Sequence, residues 1–510
     1  MALQYKATII KSSNYFKVIR PDESVKKLCF QFAKKFVIFS LINKDKLGNA
    51  AQTVYAAALK DRSEFRFHIN SYKDFETLLK YSNIDPKFIE VKELGEYEIA
   101  RFDLKMKKGF KLRDYQEPIY EYLIKDNHGY NKMVGMYTGG GKGAVSMAAL
   151  AHLGMRTIVI VKPGYMQKWV DEFIEKMDVR LEEIMAISGA KELKAFCQLC
   201  EMDKLDNIKF IVLSNRTYLF WLKAYEEYGK DARELGYLFD PDELFIKAKA
   251  GVRLIDEVHQ DFHLNFRCDL YTHCKERISL SATLDNYDAL VKSMYELAYP
   301  SQYRGPDVKA PSHVATYAVS YYTAHDRVPK TTEYNQSHYS HFAYESWIMR
   351  DKTLLYRYMA MIKKLLDTGY IAHRKPGEKA LIFAASIKFC TLLTEYLTKQ
   401  YPHLSVKRFC ENDPIENLHT SDIRISNVIK SGTAHDIKGL ICTILTIAVN
   451  SMQSNLQIFG RLRPVPGSQT RFYYLTNQKV AKHKTYHKDK IELLKPRSLS
   501  FEEVNYPDYL

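Results

Sequence analysis

The stretch Met136-Tyr-Thr-Gly-Gly-Gly-Lys142-Gly143 constrains this chain more than any other. It lies between a short apolar run, Met133–Tyr137, that reads as a strand, and a run from Gly143 to Leu153 that reads as a helix. Consecutive glycines let backbone N–H groups approach an anion with no Cβ in the way, and the positive end of the following helix points at the same place. Thr138, Gly139, Gly140, Gly141, Lys142 and Gly143 are therefore read as a phosphate cradle, with Lys142 reaching the β- and γ-phosphates. Such a strand–loop–helix unit needs a parallel sheet around it. The segments that follow supply one: Thr157–Val161, Phe210–Leu213, Val252–Ile255 and Ile278–Leu280 read as buried strands, with a helix at Gln167–Met177.

A second chemical signal ends one of those strands. Leu254-Ile-Asp256-Glu257-Val258-His259 places two adjacent carboxylates and a histidine at a strand's carboxyl end, where α/β sheets bind their ligands. Asp256 would hold Mg²⁺, directly or through water, and Glu257 would orient and deprotonate an attacking water. A lone acidic turn of this kind is as often a solvated loop; a phosphate loop 114 residues upstream makes that reading the weaker one.

With these two motifs in place, the chain resembles superfamily-2 helicases, and further segments occur in the family's order between about residues 110 and 476. Leu112-Arg-Asp-Tyr-Gln116 resembles the adenine-reading motif, with Gln116 on the base edge. Val161-Lys-Pro163-Gly-Tyr-Met-Gln-Lys-Trp169 and Ser214-Asn215-Arg216 resemble segments that grip the nucleic-acid backbone. Ser281-Ala282-Thr283 matches the short motif that couples hydrolysis to strand movement, together with His259. Ala380–Phe383 with Ala384-Ala385-Ser386 resembles the first strand and turn of a second lobe. Gln457-Ile-Phe-Gly460-Arg461-Leu-Arg463 resembles the final motif, which makes Arg461 the arginine finger and Arg463 its companion. The resemblance implies ATP and Mg²⁺ as cofactors, and two tandem P-loop lobes of the RecA-like type.

Departures from the family pattern are local. Met136 stands where Gly or Ala is usual, and Pro464 where the final motif usually has arginine. Thr443–Asn450 lacks the customary glycine; Thr446 and Asn450 are its polar residues, in what otherwise reads as a buried strand. Gly143 replaces the Ser or Thr whose hydroxyl ligates Mg²⁺, so a water is expected to complete the metal's shell there.

The 510 residues suit three or four domains. The expected division is an N-terminal α/β accessory domain at 1–105, a first lobe at 106–300, a linker or insertion at 301–345, a second lobe at 346–478 and a basic tail at 479–510. In the first of these, Lys6–Ile19 reads as extended segments around a Ser-Ser-Asn turn, with helices at Ser24–Phe36 and Asp74–Tyr81 and a strand at Phe65–Asn70. The second lobe's helices are expected at Leu354–Leu366 and Phe389–Leu397. Its strands are expected at Ala380–Ala384, Leu440–Val449 and Phe472–Leu475. Residues 219–250 read as an insertion. The eight cysteines are scattered; Cys197-Gln-Leu-Cys200 lies in a helix-like run, where that spacing is commonplace, and reduced structural thiols are the expectation.

The formal net charge of +15 fits a polyanionic partner, with dense basic runs at Lys105–Arg113 and Lys479–Lys490 that serve equally well as solvated faces. No signal-peptide pattern and no apolar run of membrane-spanning length occurs, which places the expected protein in the cytoplasm, or in the host cytoplasm if viral. The expected activity is that of an ATP-dependent helicase or translocase acting on duplex or branched DNA. The layout is similar to bacteriophage recombination helicases, which remodel branched DNA by branch migration and fork reversal. An RNA helicase built on the same motor, a nucleic-acid-binding scaffold without ATPase activity, and the motor subunit of a restriction complex are the rival readings.

Overall fold

In a computed structural model of the chain, the described residues are 5–44, 50–82, 84–125, 129–136, 140–281, 289–306, 308, 312–324, 333–334, 338–411, 413–414, 416–427 and 437–510. They form two compact units, one ending at Val308 and one from residue 312 onward.

The first unit begins with a five-stranded mixed sheet, ordered Ala57–Ala58, Glu64–His68, Tyr15–Ile19, Ala7–Lys11, Ile89–Glu93. Helix Glu23–Ala33 covers it; Asp22 caps the helix by accepting from Val25 N–H at 2.8 Å, and the buried face is Val25, Leu28, Cys29 and Phe32. The strand Glu64–His68 alternates polar and apolar residues, yet every position is buried. Its polar side meets the following domain instead of water. The Arg66 guanidinium bonds Glu64 Oε1 at 2.5 Å and Asp242 Oδ2 at 3.0 Å, and Lys17 Nζ and Tyr15 OH reach the same Asp242 oxygen at 2.7 and 3.0 Å. Burial pushes the Asp242 carboxyl up, but Arg66 and Lys17 overcome it and hold the group well below the usual carboxylate range. Residues 1–105 are thus joined to the next domain by a satisfied buried ion network. Asp242, which anchors it, lies in the segment 219–250 expected to be an insertion. That segment is instead core, carrying the end of helix Asn215–Tyr228 and buried Leu244 and Phe245.

The second part of this unit is a six-stranded, wholly parallel sheet. Its order is Ile184–Ile187, Phe210–Ser214, Thr157–Val161, Val252–Ile255, Glu276–Ser281, Lys132–Gly135. Thr157–Val161 is buried at all positions and apolar after Thr157, and Val252–Ile255 is equally buried, its Arg253 donating to Ser279 Oγ at 2.7 Å and Asn131 Oδ1 at 3.0 Å. The order sets the Ser281 strand between the strand leading into the phosphate loop and the strand ending at Asp256. Three motifs distant in sequence therefore emerge side by side at the carboxyl edge.

The second unit is a seven-stranded parallel sheet, ordered Val406–Phe409, Ile423–Asn427, Lys379–Ala384, Leu440–Leu445, Thr470–Asn477, Val314–Tyr322, Ser500–Tyr509. Two of these strands come from segments expected to lie outside the lobe. Val314–Tyr322 belongs to the expected linker, and Ser500–Tyr509 to the expected tail. Helix Ala481–Leu494 is not a free basic tail either: His483, Lys490, Leu493 and Leu494 are buried, with Lys490 Nζ 5.2 Å from the centre of the Tyr474 ring. Of the lysines on this helix, Lys490 is buried, Lys484 and Lys488 are exposed and Lys482 is half-buried. The two tandem parallel sheets are the P-loop lobes expected from the motifs. Among the described residues no helix is long and apolar enough to cross a membrane.

Candidate nucleotide site and nucleic-acid edge

Helix Lys142–Leu153 starts directly at the lysine. Its N-cap, Gly141, has φ 87° and ψ 35°, a left-handed conformation that a Cβ would strain. Space forbids a side chain as well: a Cβ there would collide with the Gln116 amide, whose Cδ would stand 3.6 Å away. Gln116 is buried and its Oε1 accepts from Arg113 N–H at 3.0 Å, so the expected adenine-reading residue is locked against the loop. Gly140 is buried, and Thr138 and Gly139 lie outside the described residues.

Lys142 Nζ donates to Glu257 Oε1 at 2.7 Å, with both side chains mostly buried. Glu257 has φ 50°, an unusual conformation for a non-glycine residue and a strain of about 1–3 kcal/mol. Its own N–H, donating to Asp256 Oδ1 at 2.9 Å, helps hold it there. Asp256 Oδ2 accepts from the Trp169 indole N–H at 3.1 Å. Trp169 is 2% exposed, so this residue, expected at the nucleic-acid edge, is an orienter of the acidic pair.

His259 Nδ1 lies 2.6 Å from Ser281 Oγ, and its Nε2 lies 3.4 Å from Glu257 Oε2. Burial and the Lys142 ammonium push the His259 pKa down to about 3, so the ring is neutral near pH 7 and the contact with Glu257 is not an ion pair. A continuous chain of contacts thus runs from Lys142 through Glu257 and His259 to Ser281. Thr283 lies outside the described residues.

Two neighbouring strand ends carry the expected backbone grips. Pro163 is exposed and opens the turn Pro163–Tyr165 after Thr157–Val161. Ser214 and Asn215 are each 1% exposed, and the Ser214 hydroxyl caps its helix by accepting from Thr217 N–H at 3.4 Å. Burial removes both from contact with a strand; the exposed residue of that motif is Arg216. Arg216, named with that motif, is thus its exposed cation, and Lys162 and Lys168 lie in the motif after Thr157–Val161. The Lys105–Arg113 run is exposed at all its basic positions.

In the second unit, Gln457 lies on helix Met452–Phe459, which is capped by Ser451 and ends at Gly460. Arg461 follows at 8% exposure with its N–H on Ile458 O at 3.2 Å, and Arg463 is half-buried. Thr446 is buried, its hydroxyl donating to Phe383 O at 2.7 Å, which makes it part of the sheet; Asn450 is exposed. Cys197 and Cys200 fall on the buried face of helix Ala190–Glu201, and burial pushes the Cys197 thiol up to about 12.

These residues suit a Mg²⁺-bound nucleoside triphosphate. The glycine-capped helix start and Lys142 would hold the phosphates, and Asp256, oriented by Trp169, with Glu257 would serve the metal and the attacking water.

No protein-family model and no curated protein matches the chain. Similar solved structures include T4 UvsW, 13% identical, covering 98% of this chain and 99% of that one with a TM-score of 0.32. They also include S. cerevisiae Dbp5 bound to RNA and ADP BeF3, 13% identical over 78% of this chain and 91% of that one, TM-score 0.49. A third is the Mycobacterium smegmatis helicase Lhr bound to ssDNA and AMP-PNP, 15% identical over 78% and 49%, TM-score 0.46.

Proposed function

We propose that this chain is an ATP-driven motor on nucleic acid, a helicase or translocase, and that its substrate is duplex or branched DNA. The observation that carries the reading is the contact chain Lys142–Glu257–His259–Ser281, formed by residues from three adjacent strand ends. It joins a phosphate-binding lysine and a water-activating carboxylate to the motif associated with strand movement.

ATP with Mg²⁺ supplies a phosphoryl group whose transfer to water releases the free energy for movement. Lys142 leaves Glu257 for phosphate oxygens, and Glu257 then accepts the proton of the attacking water. Trp169 keeps Asp256 facing the cation. His259, neutral, lies against Glu257 and is hydrogen-bonded to Ser281, so a movement of Glu257 is passed to Ser281 through the ring. By resemblance to the family's final motif, Arg461 is given the role of arginine finger. Arg216 and the lysines at the same edge hold backbone phosphates, with Pro163 setting the turn beside them, which gives grip with little sequence preference. The +15 net charge favours the same polyanion.

The test is ATP hydrolysis by the protein and its Lys142→Ala variant, titrated with single-stranded DNA, duplex DNA, a four-way junction and structured RNA. Strongest stimulation by the junction, reduced about a hundred- to a thousand-fold in the variant, is expected. Strongest stimulation by RNA would make the chain an RNA helicase. Tight binding without Lys142-dependent turnover would make it a scaffold.

A further inference from the structure

Gly143 removes a side chain from the place where the resemblance puts a metal-binding hydroxyl. The space is filled from elsewhere. A Cβ on residue 143 would collide with Glu172 Oε2, with Cδ 3.5 Å and Oε1 3.9 Å from it. Glu172 lies on helix Met166–Lys176, the same helix that brings Trp169 to Asp256. One helix therefore orients the proposed acidic ligand Asp256 and, three residues later, sets a second carboxylate against the first turn of the phosphate-loop helix.

The charges around Glu172 point the same way. Lys168 Nζ is 3.7 Å from Oε1 and Lys176 Nζ is 3.5 Å from Oε2, loose contacts that leave the carboxylate accessible. A bare carboxylate beside a triphosphate would repel it; a hard divalent cation between them, taking oxygen ligands from both, converts that repulsion into a bridge.

We infer that Glu172 supplies, directly or through a water, the Mg²⁺ ligand that a hydroxyl at position 143 would otherwise supply, completing the set with Asp256. This rests on the nucleotide-site reading above. The bland alternative is a helix-surface ion pair with Lys168 and Lys176.

The two are separated with the full-length protein, using Mn²⁺ as the metal and AMP-PNP as the nucleotide. Free Mn²⁺ is followed by electron paramagnetic resonance, and AMP-PNP binding is measured separately in EDTA. In Glu172→Gln, Mn²⁺ affinity in the AMP-PNP complex is expected to fall about tenfold or more. Metal-free AMP-PNP binding should stay level or tighten, which also reports an intact fold. The double variant Gly143→Ser with Glu172→Ala, which restores a hydroxyl and vacates its space, is expected to recover Mn²⁺ affinity. Wild-type Mn²⁺ affinity in Glu172→Gln, with AMP-PNP bound, would overturn this inference alone. Failure of the unmodified protein to bind AMP-PNP with or without Mn²⁺ would overturn the nucleotide-site reading along with it.

Discussion

At the carboxyl edge of the first sheet, Lys142, Asp256 and Glu257 meet as charged groups; at the same edge of the second, the titratable groups are sealed in. There Glu345 accepts from the N–H groups of Ala385 and Ser386, both at 2.7 Å, and burial raises its pKa to about 7. Tyr339 OH bridges His341 Nδ1 at 2.7 Å and His483 Nε2 at 2.5 Å. Burial holds His341 well below its usual range and His483 at about 3, and it lowers Lys490 to about 7. The contrast is one of dielectric and partners. The first edge pairs opposite charges and leaves them partly open, so the groups can exchange partners. The second edge encloses its groups, so burial shifts each towards its neutral form, and they serve as scaffold for the turn that follows Lys379–Ala384. Chemistry is therefore expected of the first edge.

The strongest challenge to that division is Arg461→Ala. If the second lobe stabilises transition-state charge, stimulated kcat falls about a thousand-fold while AMP-PNP affinity is kept. An unchanged kcat would confine the chemistry to the first unit. Glu257→Gln is expected to slow hydrolysis about a hundred-fold, with nucleotide bound at least as well, because Lys142 loses its competing carboxylate. Unimpaired single-turnover hydrolysis would assign the base elsewhere. His259→Ala should cost less in hydrolysis and more in coupling. Base pairs separated per ATP are expected to drop several-fold, and an unchanged ratio would make the Ser281 contact merely structural.

The smallest effect concerns the sealed edge. Lys490→Met is expected to raise the melting temperature of the second unit by about 3 °C at pH 7, read by calorimetry. The folded-state pKa of Lys490 is lowered to about 7 from 10.5, so between those values the unfolded chain binds the proton and the fold does not. The natural protein then gains stability as pH rises through that window, and the variant's advantage should shrink towards pH 10. An advantage independent of pH would mean that the ammonium is solvated after all.

Much of this molecule was legible because its signals are local. Phosphate loops need glycine where φ is positive, and Gly141 is such a position. Fully buried parallel strands favour apolar runs, and Thr157–Val161 lies where that rule puts it, while Val252–Ile255 is equally buried despite Arg253. What misled was polarity satisfied at a distance. The alternation in Glu64–His68 looks the same whether its polar face meets water or Asp242, 176 residues away. The lysines of 479–490 read as one charged face until the helix is wound and Lys490 turns inward. Trp169, Ser214 and Asn215 sit in the right motifs but are buried, because exposure is decided by neighbouring helices.

By itself the sequence determined the phosphate loop, the acidic strand end, the parallel α/β class and most element positions, since each depends on side-chain type and short-range spacing. Only the tertiary structure decided which strands are neighbours, and hence that Lys142, Glu257, His259 and Ser281 form one chain of contacts. It alone closed the second sheet with Ser500–Tyr509, and it alone set Glu172 against Gly143. Those outcomes depend on contacts between residues far apart along the chain, which no local pattern encodes.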